Sequence, residues 1–392
     1  MTSAAPRPSL GIGVVGYAFM GAAHAHAWRT APRVFDLPLT PAMVALCGRD
    51  PAAVRAAADR QGWASAETDW RELIARPDVD LVDICTPGDL HAEIAIAALD
   101  AGKHVLCEKP LANTPAEAEA MTAAAQRAAA RGVRSMVGFN YRRVPALALA
   151  RALAAEGRLG EIRHVRATYL QDWLTDPAFP LSWRLVREHA GSGALGDLGA
   201  HIIDLAQYLT GEPITAVSGS TTTFVTERPV RGWVAYEPRG TVTVDDAAVF
   251  TARLGAGATL GTFEVSRFAA GRKNALRIEL NGSLGSVAFD LERLNELEFH
   301  DHAGNALTAG FTRILVTEPD HPYLSAWWPP GHVLGWDVTF SHEIADLVTA
   351  IAEGRQPQPS FADGLQVQRV LAAVQESAAS DSTWITVPSS GN

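Results

Sequence analysis

Cysteine is nearly missing from this chain, with Cys47, Cys85 and Cys107 the only three among 392 residues. An odd number of well-separated cysteines without a C-x-x-C pair excludes a disulfide framework and a thiolate zinc site. It points instead to buried free thiols in a reducing compartment. Lysine is as scarce: of 33 basic residues only Lys103, Lys109 and Lys273 are lysines, and the rest are arginines. Net positive charge is absent too. The formal charge is −10, which argues against nucleic acid or an anionic membrane as partner. No apolar run is long enough to span a bilayer, and Met1 to Ser9 lacks the charged and hydrophobic regions of a secretory leader, so a cytoplasmic location is expected. No H-E-x-x-H, Cys/His cluster, G-x-S-x-G or Walker A pattern occurs, and no metal is expected. His24 and His26, two residues apart, fall on different faces of a helix, and His300 and His302 fall near an expected turn.

The chain exceeds what one hydrophobic core usually organises, so two domains are expected, 1–140 and 141–392. Apolar, strand-like runs at Leu10–Gly16, Ala42–Cys47, Val79–Thr86, His104–Cys107 and Ser135–Phe139 alternate with helical stretches at Ala52–Gln61, Leu90–Ala101 and Pro115–Ala130. Thr114-Pro115-Ala116-Glu117 is a capping box with proline at the first helical position. This alternation predicts a doubly wound parallel sheet of the Rossmann kind, whose ligands bind beyond the carboxyl ends of the strands. Those ends collect Gly16 to Gly21, Gly48-Arg49, Thr86-Pro87, Glu108-Lys109-Pro110 and Asn140-Tyr141, a rim rich in glycine, hydroxyl, amide and charge.

Gly16-Tyr17-Ala18-Phe19-Met20-Gly21 stands where a dinucleotide fingerprint brings backbone N–H groups to a pyrophosphate, with Ala18 in place of the middle glycine. A structural turn would look similar, but the position at the first strand–helix junction favours the cofactor reading. At the second strand end Gly48-Arg49 replaces the acid that usually binds the ribose hydroxyls. Arg49 can meet a ribose phosphate, which favours NADP over NAD, or it can be a solvated loop residue beside an N-capping Asp50.

Oxidising an alcohol requires a proton acceptor and a cation for the developing alkoxide. Lys109 suits the second task, at a strand end in a chain that seldom uses lysine where arginine would serve. In Gly193-Ala194-Leu195-Gly196-Asp197-Leu198-Gly199-Ala200-His201-Ile202-Ile203-Asp204, an apolar helical stripe runs through Leu198, Ile202, Leu205 and Leu209. Asp197, His201, Asp204 and Tyr208 share another. An imidazole between carboxylates suits a general base; a helix start with acids facing its dipole and a capped histidine fits the spacing equally well. His91, in Thr86-Pro87-Gly88-Asp89-Leu90-His91, falls on the cofactor rim and reads more as a supporting than a reacting group.

Together these segments resemble the Gfo/Idh/MocA oxidoreductases along nearly the whole chain: GVVGYAFMG, DICTPGDLHAEIAIAALDAGKHVLCEKPLA, GFNYRR at Gly138–Arg143, and GSGALGDLGAHIIDLAQYL. Within that family the chain is most similar to dehydrogenases of sugars, anhydrosugars and inositols, through Thr168–Asp172 with Trp173, Pro180-Leu181-Ser182-Trp183-Arg184, and Ser360–Gly364. The resemblance implies that Lys109 polarises the substrate oxygen, that His201 exchanges its proton and that Asp197 lies beside both. It implies NAD or NADP bound by Gly16 to Gly21, Gly48, Arg49, Thr86, Pro87, His91, Glu108, Lys109 and Asn140, with Asn140 lining the nicotinamide pocket. The implied substrate set is Lys109, Arg142, Trp173, Trp183, Arg184, Asp197 and His201.

Past Tyr141, a helix at Pro145–Ala155 and strands at Ile162–Leu170, Val217–Thr223, Thr241–Leu254, Thr259–Ser266, Leu276–Asn281 and Ser286–Phe289 predict a mainly antiparallel open sheet. Gly255, Gly257, Gly282 and Gly285 mark its turns. Two further helices close the chain, Phe340–Ala352 and Gly364–Ala379. An uncovered sheet face leads to an expected homodimer or homotetramer. Glu227–Gly240 and His300–Trp336 are expected to be irregular, the latter carrying Trp327-Trp328-Pro329-Pro330, a sugar-facing wall or a subunit contact. A non-catalytic dinucleotide-binding regulator would have lost the lysine or the histidine. A sugar–sugar oxidoreductase would retain its cofactor through purification.

Overall fold

The computed structural model describes residues 7–230, 238–257 and 259–388. The first six residues, read above for the lack of a leader, lie outside these, as do 231–237 of the expected irregular segment. The chain divides into two compact units. The first is the chain up to Ala112, with Ala116–Asn140 and Trp336–Leu365; the second is Asn113–Pro115, Tyr141–Gly335 and the chain from Gln366 on. Residues 336–365, which the division 1–140 and 141–392 gave to the second domain, therefore return to the first unit.

The first unit is built on six parallel strands: β1 (Ser9–Val15), β2 (Thr40–Cys47), β3 (Ser65–Glu67), β4 (Leu81–Ile84), β5 (His104–Glu108) and β6 (Ser135–Gly138), in the order β3-β2-β1-β4-β5-β6. β3 and the short helix Trp70–Ala75 were not foreseen. A three-residue strand and a six-residue helix are too short to show a period. β1 reverses the strand order between β2 and β4, and that reversal is where such sheets bind ligands. Asp50 caps the helix Pro51–Gln61 by accepting from the amides of Ala52 and Ala53, both at 3.0 Å, and Gly62 ends it in a left-handed turn at φ 79°. The returning helix Val338–Glu353 packs on the helix Phe19–Val34. Phe340, Ile344, Leu347 and Val348 join Ala27, Trp28 and Ala31 in one core.

The second unit holds a nine-stranded sheet: β7 (Ile162–Leu170), β8 (Ile214–Thr222), β11 (Ala247–Leu254), β12 (Thr259–Ser266), β13 (Ala275–Gly282), β14 (Gly285–Asp290), β15 (Glu296–Asp301), β16 (Thr312–Leu315) and β17 (Ile385–Thr386). Their order is β16-β15-β14-β13-β7-β12-β11-β8-β17, antiparallel except where β7 meets β12. Both expected irregular segments contain strands. β9 (Glu227–Pro229) pairs with β10 (Arg239–Thr241), and β15 and β16 extend the sheet into the second. β9, β10 and β16 are three or four residues long, too short to show a period. Helices Pro145–Ala155 and Ala200–Thr210 pack against strands of this sheet.

The segment that delivers Asp197 and His201 is docked by Asp245. Its carboxylate accepts from the amides of Gly193 (2.8 Å) and Leu195 (2.7 Å), and its carbonyl accepts from Ala194 (3.0 Å). A Cβ on Gly193 would lie 1.7 Å from that carbonyl oxygen. Gly193→Ala should therefore destabilise the protein by about 1–3 kcal/mol, read as a lowered midpoint of urea unfolding. An unchanged midpoint would mean the docking is loose.

Candidate active site in two half-sets

In the first unit, adjacent strand ends bring the rim together. Gly16 turns at φ 107°, and a Cβ on Gly21 would sit 1.9 Å from the Gly16 carbonyl oxygen, so both positions require glycine. Ala18, by contrast, is exposed at the start of the helix Phe19–Val34, where its methyl obstructs nothing in the chain. That helix start has no side-chain cap and no acidic residue in its first turn. Its amides suit an anion. The Thr86 hydroxyl beside it is buried without a hydrogen-bond partner, a donor awaiting a ligand. These features fit a dinucleotide pyrophosphate.

A Cβ on Gly48 would lie 2.0 Å from the Tyr17 ring, so the aromatic ring occupies the place of the usual ribose-binding acid. Arg49 beside it is exposed. His91 is buried, with Nδ1 3.0 Å from the Pro110 carbonyl oxygen and Nε2 2.9 Å from that of Thr86. With both ring nitrogens on backbone carbonyls, it ties two strand ends together and shapes the rim, the supporting part read from the sequence. Asn140 is buried, and its side-chain amide donates to the Thr339 hydroxyl at 2.9 Å. Phe19 stacks on Trp336 with ring centroids 5.7 Å apart. No periodicity in the sequence linked those two residues.

Glu108, Lys109 and Pro110 end β5. Glu108 is buried and accepts the Lys109 backbone N–H at 3.1 Å through Oε2. Its Oε1 lies 2.9 Å from His24 Nε2, and His24 Nδ1 in turn meets Asp83 at 2.9 and 3.0 Å. Burial alone would discharge His24; the Asp83 charge and hydrogen bond outweigh it and raise its pKa well above the usual imidazole range.

In the second unit, Asp197 lies within a π-type turn, Leu195–Gly199, that precedes the helix Ala200–Thr210. The expected stripe was drawn for a regular α-helix, which this widened turn interrupts. Its carboxylate is held by Arg267, which donates from Nη2 at 3.0 Å and is itself 1% exposed. Arg267 also lies over the Trp173 ring at 5.3 Å, and Arg184 over Trp183 at 4.4 Å. The Asp197 charge acts on Arg184 as well. His201 is buried, with the Tyr141 and Tyr169 ring centroids 4.6 and 5.8 Å away. Those phenols meet at 2.9 Å. Tyr169 donates onward to Asn274 at 2.7 Å, which also accepts from Gln171. Burial first, then Tyr141, pushes the Tyr169 hydroxyl well above its ordinary pKa, so it stays a donor. Tyr169 falls within the Thr168–Asp172 segment of the resemblance, whereas Arg267 and Asn274 belong to no motif. All three lie on or beside neighbouring strands, β12, β7 and β13.

Two of the expected site residues pair with each other. Asp204, read as the second carboxylate flanking His201, is buried in a bidentate pair with Arg142, with Nε at 2.9 Å and Nη2 at 2.5 Å. Arg142, expected among the substrate contacts, is the buried partner in that pair and also lies over Tyr208 at 5.0 Å. Its arginine-rich context, Tyr141-Arg142-Arg143, gave no sign of which charge would be inside. Breaking one side of such a pair strands a buried charge at about 3–5 kcal/mol. Arg142→Met should lower the unfolding midpoint accordingly while leaving the substrate KM of the folded fraction near wild type. A KM raised tenfold or more at unchanged stability would restore Arg142 to the substrate set.

Known proteins bear on this arrangement. Residues 10–139 match the model for an oxidoreductase family with an NAD-binding Rossmann fold, and residues 147–288 match the GFO/IDH/MocA C-terminal domain. Levoglucosan dehydrogenase of Pseudarthrobacter phenanthrenivorans is 43% identical over 391 residues, covering 97% of this chain and 98% of that protein. Among solved structures, an oxidoreductase domain protein from Kribbella flavida is 65% identical with a TM-score of 0.94, covering 97% of this chain and all of that one. A levoglucosan dehydrogenase in complex with NADH and levoglucosan is 43% identical with a TM-score of 0.92 over the same share of this chain and 100% of its own. With a Rossmann unit whose rim fits a dinucleotide and a second unit matched by the family's own C-terminal model, the chain belongs to the Gfo/Idh/MocA oxidoreductases.

Proposed function

We propose that this protein is a dehydrogenase that oxidises a secondary alcohol of a sugar, an anhydrosugar or an inositol. The observation that carries the reading is near-full-length likeness to levoglucosan dehydrogenase, a protein solved with NADH and levoglucosan. The nicotinamide dinucleotide, when bound, supplies the acceptor for hydride from the substrate carbon. The remaining chemistry belongs to the chain. His201 takes the hydroxyl proton, from a pocket of two phenols that limits its exchange with water. The Lys109 ammonium holds the oxygen as it gains negative charge. Asp197, steadied by Arg267, accepts hydrogen bonds from sugar hydroxyls. Trp173 and Trp183, each carrying an arginine on its ring, offer flat apolar surface to the sugar's C–H face.

For the cofactor two arguments oppose each other. Gly48 and the exposed Arg49 favour the phosphate of NADP, whereas the similar levoglucosan dehydrogenase is solved with NADH. We read the chain as an NAD enzyme, because the Tyr17 ring over Gly48 leaves the ribose edge without a preformed phosphate cradle. A second copy of this chain is the proposed occupant of the open sheet face, where Val249 and Leu260 stand 57% and 46% exposed on neighbouring strands.

The test is initial-rate reduction of NAD and NADP with levoglucosan, aldohexoses and inositols offered separately. Turnover of at least one of these is expected, with NAD favoured over NADP by about tenfold or more, equivalent to about 1.4 kcal/mol. Absence of turnover across all three classes with either cofactor would remove the substrate reading. A preference for NADP would return the decision to Arg49.

A further inference from the structure

His24 belongs to no part of the chemistry derived so far, yet it occupies an unusual position. It projects from the helix Phe19–Val34 into a core where it is 1% exposed, between Asp83 of β4, 0% exposed, and Glu108 of β5, 4% exposed. A neutral imidazole has one N–H to give, whereas here both ring nitrogens face carboxylate oxygens at about 2.9 Å. Two ionised acceptors need two donors, so the trio retains a proton that carboxylates and a neutral ring would lack. The other groups around the ring are the Trp28 indole, which donates to Asp83 at 2.8 Å, the Cys85 and Cys107 thiols, and the Phe340 ring at 5.3 Å. None of them is a cation. Among these groups the imidazole ring alone stands between the two buried carboxyl groups.

The same trio ends on the reacting strand. One oxygen of Glu108 meets His24, and the other accepts the backbone N–H of Lys109. We propose that His24 is a positioning residue for Lys109, its imidazolium clamping Glu108 against the Lys109 amide so that the strand end presents the ammonium in one place. This rests on the role given to Lys109 above. His24, Asp83 and Cys85 also offer ligand atoms within 4.8 Å of one another, as a metal site would. A metal ion there would have to displace the hydrogen bonds between His24 Nδ1 and Asp83.

Loss of the clamp lets Glu108 move toward whatever donor remains, and the strand end moves with it. A displacement of about 1 Å at a reacting group costs up to ~10²-fold in rate. His24→Gln should therefore lower kcat by roughly 10-fold or more, with the Kd for NADH changed less than about twofold. The decisive readout is a double-mutant cycle. If His24 acts through Lys109, His24→Gln costs nothing further in a Lys109→Ala background. A purely structural histidine costs the same factor in both backgrounds, and that result would overturn the proposal. Should Lys109→Ala itself keep wild-type turnover, the catalytic reading of Lys109 fails, a separate outcome from failure of the clamp.

Nitrogen NMR of histidine-labelled wild-type protein checks the clamp without any variant. His24 should keep the imidazolium signature through neutral pH and lose it only in the alkaline range. The sign follows from a folded pKa raised above the unfolded one: the contribution to stability is complete below the unfolded value and fades as pH rises through the folded value. A neutral ring at pH 7, or a stoichiometric transition metal found by elemental analysis of protein purified without chelator, would sink the inference.

Discussion

The first unit depends on how closely β1 and the helix after it approach the backbone around them. Gly16 and Gly21 meet with no space for a Cβ, and Gly11 and Gly13 along β1 leave room for the Asp78 carbonyl and the Leu73 side chain. Buried on both sides by β2 and β4, β1 can bring an uncapped helix start to the point where the strand order reverses. The anion site thus follows from packing. The helix start carries neither a side-chain cap nor an acid, so its open amides suit an anion.

A second kind of order comes from charge placed in apolar surroundings. In the first unit an imidazolium between two carboxylates backs the Lys109 strand end. In the second, buried Arg267 steadies Asp197, and Arg142 neutralises Asp204. Each pairing spends a buried ion to fix another in one geometry. Such pairs add little to net stability but lose heavily if one member is removed. Within each unit they hold charged side chains in one geometry.

Much of this was legible in the sequence. The alternation of apolar runs and alanine-rich helices marked the parallel sheet, Leu198, Ile202, Leu205 and Leu209 marked the buried face of their helix, and the scarcity of lysine drew notice to Lys109. Partner choice was not legible. Nothing in Tyr141-Arg142-Arg143 says that Arg142 will find Asp204, 62 residues away. Nor does spacing reveal that a π-type turn, Leu195–Gly199, precedes the helix of His201. The return of residues 336–365 to the first unit was hidden for the same reason, since a helix shows which face is apolar and not which sheet it will cover.

The central claim is that the first unit's rim binds a nicotinamide dinucleotide while Lys109 and His201 perform chemistry on the alcohol. Calorimetric titration of NADH into the wild type, Lys109→Ala and His201→Ala, paired with turnover of the same preparations, tests it most directly. The account predicts Kd values within a few-fold of one another and turnover lowered by about 10²-fold or more in both variants. Wild-type turnover in either variant, or loss of NADH binding in step with loss of activity, would contradict it.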